Sequence, residues 1–130
     1  YTLTVELPLD QVYDFLADPH TFPLWAAVEP STFAHVQGMD WMADTPFGKR
    51  LIRFMAPNAF GILDHAVIAE GEEPLFTPMR VFVNDDGTEL NYTFFQRPGM
   101  SDEVFASSVE WIQSDLWALK SVIEALPPRR

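Results

Sequence analysis

Asp64 and His65 stand side by side in the apolar run NAFGILDHAV, residues 58–67, and bring a carboxylate and an imidazole together in the chain. Such a pair could move protons, supply half of a metal site, or sit on opposite faces of a strand and share nothing. An imidazole titrates near pH ~6.5, which suits it to general acid–base work or to bonding a bound oxygen. On a strand, successive side chains point to opposite faces, so the two converge on one atom only across a bulge. Leu63, His65, Val67 and Ala69 form a charge-free set, whereas Asp64, Ala66, Ile68 and Glu70 form the other. The charge-free set belongs inside. His65 is therefore expected to face the core, as a proton-transfer group or as an imidazole satisfied by Tyr92 or backbone.

Few other residues offer chemistry. Tyr92 and Gln96 fall on the same expected inner face with polar tips. Trp25 and Trp41 could stack on a flat ligand or serve as large core residues. His20, His35 and His65 come from three distant segments without metal-ligand spacing, so no metal site is expected. The chain has no Cys, which removes disulfides, thiolate nucleophiles and sulfur-ligated metals. Ser107 and Ser108 lack a nucleophile-elbow context, and no Gly-rich phosphate loop occurs, so no cofactor is called for.

The elements that would position these residues follow from periodicity. YTLTVEL alternates up to Pro8, as a strand would. Leu9, Val12, Tyr13 and Leu16 then form a helical stripe opened by Pro8 and closed before Pro19. HTFPLWAA reads as a second short helix or turn, interrupted by Pro23. From 31 to 97 the period is two, with turn signals that set strands near 31–36, 39–44, 49–56, 60–69, 75–83 and 88–96. A hairpin at Asp85–Asp86 puts Met79, Val81 and Val83 inside with Leu90, Tyr92 and Phe94, and Arg80, Glu89, Asn91 and Thr93 outside. Hairpin counting sets Asp64 opposite Arg80 and brings Arg53 towards it, an outer charge row.

The last segment is one long helix. Ser101 caps it, Asp102 and Glu103 lie in its first turn, and Pro127 ends it. Phe105, Val109, Ile112, Leu116, Leu119, Ile123 and Leu126 make its apolar stripe. Trp111 and Trp117 lie off that stripe, marking either a dimer surface or the rim of a cavity.

The 130 residues, 48% hydrophobic and 14% aromatic, point to one folded domain over 1–130. With 19 acidic residues against 8 basic, the net charge of -11 repels phosphate backbones and disfavours nucleic acid as a partner. No apolar run approaches the ~20 residues of a membrane span. The start YTLTVELPLD has neither an initiator Met nor a signal-like core, which suggests a chain trimmed at its start; a cytoplasmic location fits. The expected class is α+β: a curved antiparallel sheet of about seven strands, two short helices after the first, and a long C-terminal helix.

That pattern resembles the START-like superfamily, the helix-grip proteins that include polyketide cyclase/dehydrase-like and pollen-allergen-like members. The resemblance rests on VYDFLADPHTFPLWA, TPFGKRLIRFMAPNAFGILDHAV, PMRVFVNDDGTELNYTFF and SDLWALKSVIE, which together cover nearly the whole chain. It is most similar to the polyketide-cyclase-like bacterial branch. The resemblance implies a sheet gripping the last helix, with a ligand cavity between them. The expected lining is Phe22, Trp25, Trp41, Ile52, Phe54, His65, Met79, Tyr92, Phe94, Ile112, Leu116 and Leu119. An empty cavity of ~300 Å³ forfeits up to ~7 kcal/mol, so one that large would be kept for use.

Three functions follow as expectations. The first is binding of a small apolar molecule, aromatic, polyketide- or lipid-like. The second is a cyclase/dehydrase-like enzyme in which His65 or Tyr92 moves a proton. The third is an interaction module resembling the chaperone activators. A homodimer is the expected assembly.

Overall fold

The computed structural model describes residues 1–127. Strand β1 (Thr2–Val5) leads into helix α1 (Leu9–Ala17), followed by two 3-10 turns, Pro19–Leu24 and Pro30–Thr32. Seven strands come next: β2 (Ala34–Gln37), β3 (Asp40–Thr45), β4 (Gly48–Phe54), β5 (His65–Ile68), β6 (Leu75–Thr77), β7 (Met79–Asn84) and β8 (Gly87–Tyr92). Helix α2 (Asp102–Glu124) closes the described chain. The class is α+β with antiparallel pairing, as expected. The sheet differs from the expectation. Its eight strands form two sheets, β1-β8-β7 and β2-β3-β4-β5-β6.

Pro78 explains the extra strand. The run 75–83 reads as one strand by alternation, but proline has no N–H to give to a ladder. The chain breaks there, so β6 pairs with β5 while β7 pairs with β8. The segment before His65 bridges the two sheets: Leu63 N–H donates to the Met79 carbonyl at 2.8 Å, and Val81 N–H to the Gly61 carbonyl at 3.0 Å. That seam is irregular because Asn58 organises it. Its Oδ1 accepts from the N–H groups of Phe60 and Ile62, and its Nδ2 donates to the Ile62 carbonyl. The expected strand 60–69 is thereby shortened to β5.

The turn at Asp85–Asp86 sets the expected register, with Met79 opposite Tyr92 and Val81 opposite Leu90. All four are buried. Val83, expected inside as well, is 63% exposed, since it sits one pair from the turn and beyond the core. The outer charge row also changes. Asp64 Oδ2 meets Arg80 Nη2 at 3.0 Å, but Arg53 lies opposite Ala66 on one side and Asp40 on the other. The Arg53 guanidinium accordingly donates to both Asp40 carboxylate oxygens, at 2.8 and 3.1 Å. The row is two separate pairs.

Helix α2 starts where its cap demands: Ser101 Oγ accepts from Val104 N–H at 3.1 Å. Ile112, Leu116, Leu119 and Ile123 are buried on its inner stripe against Val5, Val12, Val81 and Leu90. Burying each such side chain contributes about 1.5–3 kcal/mol. Lys120 Nζ donates to the Thr4 carbonyl at 2.8 Å, tying the far half of α2 to β1. The near half, from Val104 to Asp115, stands away from the strands, and the space between them is the cavity.

Candidate functional site

A partly open cavity of about 970 Å³ lies between the strands and α2. Ligand pockets run from about 300 to 1,000 Å³, so this one suits a drug-sized molecule. Ile52 from β4, Val67 from β5 and Leu75 from β6 give it an apolar floor. Phe22, Phe47, Phe94 and Trp111 add aromatic walls. Val104, Ser108, Ile112 and Asp115 line the helix side, one turn apart as a single α-helical face requires.

Polar groups are sparse and grouped. His65 enters from the start of β5, opposite Phe54 on one side and Thr77 on the other. Its Nδ1 lies 3.3 Å from the Leu63 carbonyl, to which it donates as Nδ1–H. Burial pushes its pKa down, so the ring is neutral and Nε2 carries a lone pair. No protein donor meets that lone pair among the described residues. The Tyr92 ring is 6.2 Å from the imidazole. Burial, and then the nearby Asp115 charge, push the Tyr92 pKa up against a smaller opposing effect from Thr77, so the phenol keeps its proton.

Asp115 completes the group. Its Oδ2 accepts the Ala27 N–H at 3.1 Å, pinning the loop after the first 3-10 turn onto α2. Burial pushes its pKa up to about 7, against the smaller downward effect of that hydrogen bond. The sequence reading missed this residue. Its signal was an acid three positions from Ile112, close to the helix stripe, and an acid on a helix is ordinarily solvated.

Of the twelve residues expected around a ligand, Phe22, Ile52, His65, Tyr92, Phe94 and Ile112 line the cavity. Trp25, Trp41, Phe54, Met79, Leu116 and Leu119 do not. Trp25 packs edge-on to Phe22, 5.2 Å between centroids, and Phe54 does the same from behind. Met79, Leu116 and Leu119 belong to the filled end of the core. Trp41 has the right face of β3 but the wrong end, stacked on Phe33 at 4.6 Å with His20 and His35 at its edges. Pleat parity chooses a face; it does not say how far along that face the hollow extends.

No family profile matches the sequence, and no curated protein does. Solved structures match over the full length. The protein CV1439 from Chromobacterium violaceum superposes with a TM-score of 0.69 at 15% identity, covering 97% of this chain and 96% of that one. Ara h 8.0201 gives 0.65 at 16%, covering 97% and 96%. CalU16 from Micromonospora echinospora gives 0.62 at 17%, covering 97% and 73%. The fold is START-like. Bet v 1-like and polyketide cyclase-like chains share this helix grip, and at such identities the likeness concerns architecture alone.

Proposed function

We propose that this protein binds a small, mainly apolar molecule of aromatic or polyketide-like type in the cavity between sheet and α2. The observation that carries the reading is the volume of about 970 Å³ with a neutral, buried His65 in its wall. The apolar side chains lining an open hollow of that size stay in contact with water, a cost that a bound apolar molecule would remove. Ile52, Val67, Phe22 and Phe94 would hold the apolar body, while His65 Nε2 would accept from a ligand hydroxyl and Tyr92 would donate to a ligand oxygen. The fold neighbours named above, Bet v 1-like and polyketide cyclase-like, are consistent with a binding role.

Titration of the purified protein with 1-naphthalenemethanol, a neutral aromatic alcohol, tests this. Saturable micromolar binding is expected, and Val67→Phe, which fills the floor from β5, should abolish it while the protein stays folded. Binding unchanged by that variant would place the probe elsewhere and discard the reading. Native mass spectrometry of the protein as purified adds the mass of any molecule it carries.

A second reading is proton transfer of the cyclase/dehydrase kind. The observation favouring it is a carboxyl tuned near neutrality inside the cavity, where an acid–base group works best. His65 and Tyr92 would then orient the substrate oxygen, being held neutral and protonated. In deuterated buffer the methyl protons of 2-acetonaphthone should exchange faster with this protein than with Asp115→Asn. Equal rates would remove the enzymatic reading.

A further inference from the structure

Asp115 is a carboxylate placed where a carboxylate is costly. It lies on the inner face of α2, half-buried, and lines the cavity. One oxygen is used: Oδ2 takes the Ala27 N–H. The other, Oδ1, meets no donor among the described residues, and none of their ion pairs includes Asp115. Oδ1 is therefore open to the cavity, while partial burial disfavours the charged form until something supplies the opposite charge.

No group around it forms an ion pair with it among the described residues. Tyr92 from β8 is a protonated phenol and His65 from β5 a neutral imidazole. The loop after the first 3-10 turn contributes Ala26, Ala27 and Val28, with only the Ala27 N–H reaching the acid. On α2 itself the cavity face carries Ser108, Trp111 and Ile112, and the Ser108 hydroxyl is spent on the Val104 carbonyl. Arg50 on β4 and Arg97 before α2 also line the cavity and keep their positive charge while donating to the carbonyls of Lys49 and Phe76; Arg97 Nε is buried without an acceptor, but neither guanidinium forms an ion pair with Asp115. Glu72 and Glu73 stand in the same lining and add negative charge.

We propose that Asp115 Oδ1 is the anchor for a positively charged ligand, so that the molecule taken up is an aromatic or otherwise apolar amine. This rests on the small-molecule reading above and gives it a substrate class. An ammonium at Oδ1 would neutralise the carboxylate, in a lining that also holds the aromatic side chains Phe22, Phe47 and Trp111. The net charge of -11 draws a cation towards the protein and turns an anionic ligand away. The His65 lone pair, facing the same space, accepts a second N–H or a hydroxyl and repels nothing positive.

Three naphthalene probes of one shape separate the outcomes: 1-naphthylmethylamine as the cation, 1-naphthalenemethanol as the neutral isostere, and 1-naphthoate as the anion. Each is titrated calorimetrically into the intact chain at pH 6 and pH 8. The amine, an ammonium throughout, should bind more tightly than the alcohol at pH 8. It should also gain about tenfold between pH 6 and 8, as the ionised fraction of Asp115 rises. The anion should show the reverse trend. Asp115→Asn should flatten the amine's pH profile and bring its affinity to that of the alcohol. An amine no tighter than the alcohol at pH 8, or one whose preference survives Asp115→Asn, overturns the proposal. The wild-type pH series alone decides the matter if that variant does not fold. Alcohol binding without charge preference removes the amine and leaves the binding reading standing; no binding by any probe removes both.

Discussion

The Asp64 carboxylate meets Arg80 at 3.0 Å on the outer side, while the next side chain, His65, lies in the cavity wall with its ring 6.2 Å from that of Tyr92. Adjacent in the chain, the acid and the imidazole never share a substrate atom. Asp64 has a second contact, its Oδ1 accepting the Met79 N–H at 2.9 Å across the break made by Pro78. The acid therefore stitches one sheet to the other.

That contact makes Asp64→Ala more harmful than Asp64→Asn. Alanine strands the Met79 N–H, which costs about 1–2 kcal/mol when it is half-buried, whereas asparagine keeps an acceptor. The Arg80 pairing adds little, because its guanidinium is largely in water. Burial raises the Asp64 pKa, but the Arg80 and Met79 hydrogen bonds and the charges of Arg80 and His65 outweigh it, leaving the carboxyl below its usual value of 3.8. Its contribution is complete above that value and disappears as pH falls through the lower folded-state pKa. Thermal melts at pH 7 and pH 3 should show the gap between wild type and Asp64→Ala closing in acid.

His65 should leave the opposite acid signature. Its folded pKa is depressed by burial, so below about pH 6.5 the unfolded chain takes a proton that the buried ring refuses. The His65 contribution to stability then rises with pH across the window under 6.5. His65→Leu removes that dependence, visible as a difference in Tm against wild type at pH 5 and pH 7.5. The same variant loses the acceptor facing the cavity, and affinity for 1-naphthalenemethanol should fall about fivefold to tenfold, one hydrogen bond's worth.

Periodicity served well where one rule acted alone. The helix stripe Ile112, Leu116, Leu119 and Ile123, its Ser101 cap, and the β7–β8 register all follow from local pattern. It failed where two rules competed. At Pro78 the alternation of 75–83 continues while the hydrogen bonding cannot, and only the missing N–H tells them apart. Arg53 was drawn to Asp64 by counting across APNAF, but the long irregular crossing ordered by Asn58 changes the count. Half of the residues expected around a ligand border the cavity and half do not, for a simpler reason: face is encoded by parity, whereas the depth of a cavity depends on how α2 leans away from the strands, a tertiary quantity. Asp115 was invisible because its burial comes from that lean.

Gly61 holds the seam closed. Its φ is +69°, and a Cβ there would lie far inside van der Waals contact with the Val81 carbonyl oxygen. Its own carbonyl accepts the Val81 N–H at 3.0 Å, so the contact cannot be relieved without opening the join between the sheets. Gly61→Ala should destabilise the protein by about 2–4 kcal/mol in urea unfolding, combining left-handed strain with the clash. Gly71, also at positive φ (+77°) but with open space around it, is the control: an alanine there meets strain alone and should cost about 1 kcal/mol.

The amine anchor carries a stability signature that needs no ligand. Asp115 has its folded pKa raised to about 7, above the 3.8 of an unperturbed aspartate, so the native state holds a proton that the unfolded chain has released between those values. The Asp115 contribution to stability therefore falls as pH rises from about 4 to 7, and its loss is complete above 7, where the acid is ionised in both states. Asp115→Asn removes the penalty while keeping an acceptor for the Ala27 N–H. The group is only half-buried, so only part of the shift reaches stability: about 1 kcal/mol, or ~3–6 °C in Tm at pH 8, against almost nothing at pH 4.5. Adding 1-naphthylmethylamine at pH 8 should raise the wild-type Tm towards that of the ligand-free variant and raise the variant's own Tm by less, as its weaker affinity requires. A carboxylate that weakens the empty fold and is relieved by a cation is explained by binding, since packing alone would favour asparagine at that position.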